Sequence, residues 1–342
     1  MMKIMVTGGA GFIGSNFIRH MLTSYPEHSI LNLDNLTYAG NLENLKGIES
    51  LSHYTFIKGD IADARLLESI EFDAIINFAA ESHVDRSILN AYPFLQTNVI
   101  GTQCLLEAAK KRKCRILHVS TDEVYGSIEE GLFIETSTVL PNSPYAASKA
   151  SADLLARAYH ETYGLDVSVT RCSNNYGPYQ FPEKLIPLVI LNAIEGKQIP
   201  VYGDGKNVRD WIHVSDHCKA IDLIFHKGKA GTVYNVGARN EVQNIDIIKK
   251  ILMIMDEKKR HEKRSFTDLI AYVQDRPGHD RRYAIDPTKV ETELGWRPEI
   301  DFDKGISSTV EWYMENREWW KSILSGEYMD YYKQQYDGRF RE

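Results

Sequence analysis

The glycine-rich turn at residues 7–14 constrains the fold of this chain more than any other feature of its sequence. Glycines stand at positions 8, 11 and 14, between a short apolar strand and an amphipathic helix. The first glycine permits a tight turn, the second lets the backbone approach a pyrophosphate, and the third lets the helix pack closely on the strand. The helix N-terminus then offers N–H groups to a phosphate. A glycine turn alone also suits a plain strand–helix connection, so its meaning depends on the residues after it.

An acidic residue stands at the position that a dinucleotide site requires. Asp34 ends the second predicted strand, twenty residues after Gly14. A carboxylate there accepts hydrogen bonds from an adenosine ribose and repels a 2′-phosphate. The order of strand, turn, helix, strand and acid predicts a dinucleotide site and favours NAD over NADP.

Six short β-rich runs in the first half of the chain alternate with helical patterns. They lie at residues 3–7, 30–33, 54–58, 74–78, 116–120 and 167–170. Parallel neighbours need crossover connections of this kind, and the helices then cover both faces of the sheet. We therefore predict an α/β fold: a doubly wound parallel-sheet Rossmann domain with a smaller C-terminal α/β substrate-binding lobe.

The regular alternation stops near residue 177, which is the predicted domain boundary. Residues 1–177 are expected to form the NAD-binding domain, rejoined by a later segment near 207–240, and residues 178–342 to form mainly the substrate lobe. In that lobe the pattern predicts helices at 184–195 and about 244–255 and strands at 199–202 and 233–236. The charged run 256–264 is expected to be solvated surface.

Composition narrows the class of protein. The formal net charge of −7 argues against nucleic acid as the main partner. No apolar run approaches the roughly 18 residues of a membrane span. The four cysteines show no CxxC spacing, and the first residues do not resemble a signal peptide. These features predict a soluble protein of the reducing cytoplasm.

A tyrosine and a lysine follow a helix-start signal in the middle of the chain. Ser143 is predicted to cap a helix that begins at Pro144, so that Tyr145 and Lys149 lie on one face. An ammonium beside a phenol is expected to lower the phenol's pKa, which suits a tyrosine that takes a proton from a hydroxyl while hydride leaves for a nicotinamide. Tyr-x-x-x-Lys is common by chance, and its position downstream of Thr121 gives it weight.

Taken together, these motifs resemble the extended short-chain dehydrogenase/reductase family, especially its nucleotide-sugar enzymes. The resemblance covers nearly the whole chain, and the segments that carry it are residues 7–14, 60–61, 77–87, 120–126, 145–149, 171–179, 209–216 and 275–282. It implies NAD as the cofactor and contacts from residues in these segments and around them. The cofactor-binding residues so implied are Gly8, Gly11, Phe12, Ile13, Gly14, Asp34, Asn35, Thr37, Asp60, Ile61, Ala79, Ala80, Ser82, Thr97, Tyr145, Lys149 and Asn175.

Two adjacent carboxylates, Asp122 and Glu123, follow Thr121 directly. Hydride exchange alone needs no second acid–base pair, whereas elimination of water needs a base for a proton beside a ketone and an acid for the departing hydroxyl. The resemblance therefore implies a dehydratase that acts on dTDP-glucose, with Glu123 as the base and Asp122 as the acid. The catalytic residues so implied are Thr121, Asp122, Glu123, Tyr145 and Lys149. An epimerase or decarboxylase of the same family, or a regulator that binds NAD without catalysis, remains the alternative.

The resemblance also implies a substrate site and an assembly. The implied substrate contacts, several of them cationic as a diphosphate requires, are Ser82, Thr121, Asn174, Lys184, Leu185, Arg209, Asn244, Asp275, Arg276 and His279. Helices at about 92–113 and 145–163 are implied to form a homodimer's four-helix interface, although burial within one chain explains their pattern equally well. No metal site is predicted: His213 and His217 have HxxxH spacing, but Ser215 is expected to cap the following helix and leave His213 outside it.

Overall fold

The computed structural model describes residues 1–258, 265–324 and 331–332. Its strands are β1 Lys3–Thr7, β2 Ser29–Asp34, β3 Tyr54–Lys58, β4 Ala74–Asn77, β5 Arg115–Thr121, β6 Val167–Cys172, β7 Asn174–Tyr176, β8 Ile199–Tyr202, β9 Val208–His213, β10 Val233–Val236, β11 Glu241–Gln243 and β12 Ile270–Val273. Within the described residues, seven of them form one sheet in the order β10-β6-β5-β4-β1-β2-β3, with every neighbouring pair parallel. The order reverses beside β1, where a doubly wound sheet binds its ligands.

Helices cover both faces of this sheet. The helices of the described residues are α1 Phe12–Ser24, α2 Ala64–Ser69, α3 Val84–Leu89, α4 Tyr92–Phe94, α5 Thr102–Arg112, α6 Pro144–Tyr163, α7 Leu185–Glu195, α8 Val214–Lys227, α9 Asn244–Lys258, α10 Thr288–Leu294, α11 Phe302–Glu315 and α12 Arg317–Ile323. A π-helical segment, Leu95–Gly101, joins α4 to α5. On one face α1 and α8 bury residues such as Phe17 and Ile221, and on the other α5 and α6 bury Leu106 and Ala156. The predicted α/β fold class is therefore confirmed.

A second core lies in the C-terminal lobe. There α7, α9 and α11 pack around Ile190, Ile248 and Tyr313, beside the small sheets β11-β9-β7 and β12-β8. The chain returns to the large sheet after β9, since α8 packs against α1 and β10 pairs with β6. The division into domains near residue 177 stays a prediction.

Most predicted elements lie within a few residues of the observed ones, and three local expectations are wrong. Lys184 precedes α7 as its N-cap. His213 caps α8, its Nδ1 accepting the N–H of Ser215 at 3.2 Å, so Ser215 is not the cap. Helix α9 continues to Lys258, which makes the start of the predicted charged connector helical, and its remainder, 259–264, lies outside the described residues. In the part of the chain that is described, no helix is long and apolar enough to cross a membrane.

Candidate active site

A deep cleft opens at the carboxyl ends of the central strands. Its lining comes from the glycine turn, the ends of β2, β4 and β5, the start of α6 and the segment 172–184. All the residues predicted to bind the cofactor line this cleft, and so do Thr121, Asp122 and Glu123. The fold thus gathers into one cavity residues that are spread over nearly two hundred positions of the chain.

The glycine turn has the shape that a pyrophosphate needs. Gly8 has φ +71°, and a Cβ on Gly8 would lie 2.6 Å from the backbone nitrogen of Ala79. A Cβ on Gly14 would lie 2.3 Å from the carbonyl oxygen of Gly8. The first N–H groups of a helix have no intrahelical acceptors. Helix α1 begins after Gly11, which has no side chain to cap these groups. Their partial positive charge suits an anionic ligand.

Asp34 is held rigidly at the edge of the cleft. Its Oδ2 accepts the N–H of Ala10 at 2.9 Å and its Oδ1 accepts the N–H of Leu36 at 2.8 Å. Burial raises the pKa of Asp34, and the two backbone hydrogen bonds oppose this rise. Each carboxylate oxygen has a second lone pair that can accept from a ribose hydroxyl.

Helix α6 brings Tyr145 and Lys149 to the cleft. The Oγ of Ser143 accepts the N–H of Ala146 at 3.1 Å, so the predicted cap is confirmed. The Tyr145 backbone N–H donates to the Oγ of Ser87 at 3.1 Å, and the Lys149 Nζ donates to the carbonyl of Val119 at 2.7 Å. The backbone of Tyr145 is therefore held against α3, and the side chain of Lys149 against β5.

The expected pKa of Tyr145 is wrong in direction. Burial raises the pKa of Tyr145 well above its ordinary value, the charges of Glu123 and Cys172 raise it further, and a hydrogen bond with Thr121 opposes them. The Lys149 ammonium is itself destabilised by burial, which lowers its pKa to about 8, although nearby Asp153 attracts the charge. In this pocket desolvation outweighs the attraction between ammonium and phenolate that the sequence suggests.

The two adjacent carboxyl groups lie in different surroundings. Thr121 ends β5, donates its hydroxyl proton to the Oδ1 of Asp122 at 3.3 Å and accepts the N–H of Glu123 at 3.3 Å. The Oδ2 of Asp122 is buried without a hydrogen-bond partner among the described residues. Burial, then the charges of Glu123 and Asp210, raise the pKa of Asp122 well above its ordinary value. Asp122 is therefore suited to hold a proton and to donate it.

Glu123 is the better base of the pair. Burial raises its pKa, but the positive charges of Arg276, Arg209 and Lys184 oppose the rise. Two of these cations are fixed by backbone carbonyls. The Arg209 Nη2 donates to the carbonyl of Asp280 at 3.0 Å, and the Lys184 Nζ donates to the carbonyl of Ser82 at 2.8 Å. The site thus combines two carboxyl groups with raised pKa values, and three cations oppose the rise at Glu123.

Not all of the predicted substrate residues reach the cleft. Ser82, Thr121, Asn174 and Lys184 line it, whereas Leu185 packs its side chain on the core of the C-terminal lobe. The others lie on loops and element ends of that lobe: Arg209 on β9, Asn244 at the start of α9, and Asp275, Arg276 and His279 between β12 and α10. The Nδ1 of His279 lies 2.6 Å from the Oδ1 of Asp275, and the Oδ1 of Asn244 is buried with no hydrogen-bond partner in the described part of the chain.

The cleft also contains charged residues that the sequence analysis gave no role. Glu81 and Glu183 line it, and Arg86 donates its Nε to the Oε2 of Glu183 at 3.0 Å. The Arg86 guanidinium lies 4.0 Å from the ring centres of both Tyr38 and Tyr331. Arg86 belongs to a motif that carries the family resemblance, but its partners are far away in the chain, so no local signal indicates them.

The two histidines with HxxxH spacing, His213 and His217, contact other residues of the chain. The Nδ1 of His213 accepts the N–H of Ser215, and the Nδ1 of His217 lies 2.8 Å from the Oδ1 of Asn175. Over residues 1–258, 265–324 and 331–332, no group of three or more His, Cys, Asp or Glu side chains is arranged to hold a metal ion.

Comparisons with known proteins find a family model and several dehydratases that are similar to this chain. The family model described as GDP-mannose 4,6 dehydratase matches residues 5–309. The chain is 50% identical to a dTDP-glucose 4,6-dehydratase from Shigella flexneri, over 99% of this chain and 100% of that protein. The dTDP-glucose 4,6-dehydratase from Bacillus anthracis, solved in complex with NAD, has a TM-score of 0.87 and 51% identity, over 94% of this chain and 100% of that one. The same enzyme from Streptomyces venezuelae, solved with NAD and dTDP bound, has a TM-score of 0.89 and 51% identity, with the same coverage.

Proposed function

The chain belongs to the GDP-mannose 4,6 dehydratase family and, within it, to the dTDP-glucose 4,6-dehydratases, and on that premise we propose that it converts dTDP-glucose to dTDP-4-keto-6-deoxyglucose with NAD as its cofactor. The observation that carries the proposal is the pair Asp122 and Glu123: a carboxyl group whose pKa is raised well above its ordinary value beside one that three cations hold closer to its ionised form. Elimination of water needs this combination, and the redox chemistry of an epimerase does not.

The residues of the cleft fit NAD. The glycine turn leaves no room for a Cβ at Gly8 or Gly14, and the N-terminus of α1 offers N–H groups to a pyrophosphate. Asp34 is oriented by two backbone N–H groups and keeps lone pairs for a ribose. A 2′-phosphate would meet that carboxylate, which supports NAD rather than NADP. When bound, NAD supplies the hydride acceptor and donor that the reaction needs.

The first step is oxidation of the sugar at C4, and its residues are Tyr145, Thr121 and Lys149. Under this proposal the Tyr145 side chain takes the proton of the sugar's C4 hydroxyl as the C4 hydride leaves. Thr121, hydrogen-bonded to Tyr145, shares that proton. Because burial disfavours the phenolate of Tyr145, the Lys149 ammonium is needed to stabilise the phenolate that accepts the proton. The product of this step is a ketone at C4, which acidifies the proton at C5.

The second step is elimination of water across C5 and C6, and its residues are Glu123 and Asp122. Glu123 removes the C5 proton, and Asp122 gives its proton to the C6 hydroxyl, which leaves as water. Hydride then returns to C6, and C5 is reprotonated. The net change is redox-neutral, since the electrons removed at C4 are returned at C6 of the same molecule. This reaction belongs to deoxysugar biosynthesis.

The cations of the lobe support a diphosphate as the group that is bound. Arg209, Arg276 and Lys184 are close enough to Glu123 to affect its pKa. Burial lowers the pKa of Arg209 and of Lys184, so the cationic form of each is costly unless an anion reaches it. The two charges of a nucleoside diphosphate would complete this arrangement.

The proposal includes a homodimer in the cytoplasm. Large apolar side chains are exposed on α4, α6 and the π-helical segment between α4 and α5: Tyr92 is 65% exposed and Leu154 58%. Exposed apolar side chains on neighbouring helices favour burial against a second copy. Four cysteines without a disulfide suit a reducing compartment.

The proposal is tested by incubating the purified protein with dTDP-glucose and identifying the sugar that forms. The wild-type protein is expected to give a dehydrated keto-sugar and to release the C6 oxygen as water. Glu123→Gln is expected to slow product formation by roughly 10²–10⁴-fold, because a positioned base is lost. Its folding is checked by NAD binding. A ring-epimerised product from the wild type, or full turnover by the variant, would contradict the assignment.

A further inference from the structure

One buried carboxylate joins three parts of the substrate lobe and the central domain. Asp85 lies in the first turn of α3, is 6% exposed, and belongs to a motif to which the proposed mechanism gives no role. Its Oδ1 accepts from the Nη1 of Arg276 at 3.1 Å. Its Oδ2 accepts from the hydroxyl of Tyr202, at the end of β8, at 3.1 Å. Helix α3, strand β8 and the loop that carries Arg276 therefore meet at this carboxylate.

Arg276 has hydrogen-bonding capacity beyond this contact. A guanidinium has five N–H groups, and the Asp85 contact uses one of them. The Nε of Arg276 is buried with no hydrogen-bond partner among the described residues. A buried N–H without an acceptor costs free energy, so the site gains when an acceptor arrives. The charge of Arg276 also reaches Glu123, which places it beside the reaction.

We propose that Asp85 is a positioning residue, whose carboxylate holds the Arg276 guanidinium in the orientation that receives the substrate's diphosphate. The inference rests on the proposed function for the substrate, and adds a role for a residue that does not line the cleft. Arginine binds phosphate best as an oriented planar fork, and a long side chain loses rotamer entropy when it is first ordered by the ligand. Because Asp85 orders the Arg276 side chain before the substrate binds, this rotamer entropy is not lost during binding.

The charge of Asp85 has an opposing effect, because a carboxylate repels a diphosphate. The geometry decides between the two effects. Asp85 contacts Arg276 through a single hydrogen bond and is itself shared with Tyr202, so it orients the guanidinium and leaves most of its N–H groups available. Orientation is therefore expected to outweigh repulsion, and removal of the carboxylate is expected to weaken binding.

The experiment replaces Asp85 by Asn in the full-length protein, which removes the charge and keeps the size. The KM for dTDP-glucose is expected to rise about tenfold, equivalent to about 1.4 kcal/mol, with kcat within about twofold of wild type. The Kd for dTDP alone, measured by calorimetry, is expected to rise equally, and NAD affinity to stay the same. In an Arg276→Gln background, Asp85→Asn is expected to add little, because its effect acts through Arg276.

Two further variants keep the test decisive. The matched control is Asp222→Asn. It changes a carboxylate that pairs with His20, on the α1–α8 side of the sheet, and should leave KM unchanged. Tyr202→Phe removes the second hydrogen bond to Asp85 and is expected to raise KM by a smaller factor; it carries the test if Asp85→Asn does not fold. An unchanged or lower KM, or effects that add fully to those of Arg276→Gln, would overturn the proposal. If the wild-type protein neither binds dTDP nor dehydrates dTDP-glucose, the proposed function fails instead.

Discussion

At the scale of single residues, burial is the largest influence on the pKa values of the groups proposed to transfer protons. Asp122 and Glu123 are adjacent in the chain, yet only Glu123 has three cations among the main influences that oppose the effect of burial on its pKa. The sequence suggests the pair and its acid–base role. The family resemblance implies Asp122 as the acid and Glu123 as the base. The physical cause of that division is not visible locally, because the deciding charges, Arg209 and Arg276, come from distant segments. The expected pKa of Tyr145 is wrong for a similar reason. The spacing between Tyr145 and the lysine of the motif can be read in the sequence, but the burial that desolvates Tyr145 cannot.

Lys149 gives a prediction for the dependence of rate on pH. Its pKa is lowered to about 8, so its ammonium form is lost as the pH rises through that value. If the ammonium supports Tyr145, kcat falls on the alkaline side of about pH 8. Asp153 attracts the charge, and Asp153→Asn is therefore expected to move this alkaline limb to lower pH. The check is a pH–rate profile for both proteins, with NAD binding as the folding control; an alkaline limb that stays in place would exclude Lys149 as its origin.

At the scale of elements, helices α1 and α8 are joined by one shared carboxylate. The Oδ2 of Asp222 lies 2.7 Å from the Nε2 of His20, its Oδ1 lies 2.8 Å from the Nδ1 of His226, and Tyr25 donates its hydroxyl to it at 3.0 Å. Burial opposes ionisation of Asp222, but these hydrogen bonds outweigh it and hold its pKa well below its ordinary value. The hydrogen bond to Asp222 raises the pKa of His226, although burial opposes the rise.

The signs of these shifts define a pH window for stability. The raised pKa of His226 gives stability that is present below the unfolded-state value and is lost as the pH rises through the folded-state value. The lowered pKa of Asp222 gives stability that is lost in acid. Asp222→Asn is therefore expected to lower the free energy of unfolding by about 1–2 kcal/mol at about pH 6, and by less at about pH 9. Urea unfolding at the two pH values measures this; equal losses at both would exclude a charged His226 as the cause.

Elements with a regular apolar pattern are the ones that the sequence predicts well. The predicted bounds of β1, β3, β8 and β10 coincide with the observed strands. The sequence does not predict strand β9, because its Arg209 and Asp210 look like loop or surface residues. Both are buried: Arg209 contacts the carbonyl of Asp280, and Asp210 accepts the N–H groups of Ala238 and Asn240. A strand whose polar side chains are satisfied by other segments has no local signature.

At the scale of the whole molecule, one part of the site is built by residues close together in the chain and another part by residues far apart. Only the first part can be predicted from the sequence. The cofactor cleft is built by turns that directly follow strands, so its residues form short motifs that can be found in the sequence. The proposed substrate contacts lie on segments that are far apart in the chain. The contact of Asp85 with Arg276 spans 191 positions of the chain, and neither residue marks its partner locally. The topology of the chain, rather than any motif, brings them together.

The proposed homodimer also belongs to this scale, and the surface offers a matched pair of positions to test it. Leu154 on α6 is 58% exposed, and Met253 on α9 of the C-terminal lobe is 59% exposed. Leu154 lies on the same helix as the exposed Tyr163, within the predicted interface, whereas Met253 lies outside it. Leu154→Glu is expected to shift the protein from dimer to monomer in light scattering and sedimentation, because a carboxylate would be buried without a partner. Met253→Glu carries the same change on an equally exposed side chain and should leave the dimer intact. A monomeric wild type, or a dimer that tolerates glutamate at position 154, would show that these helices do not form the interface.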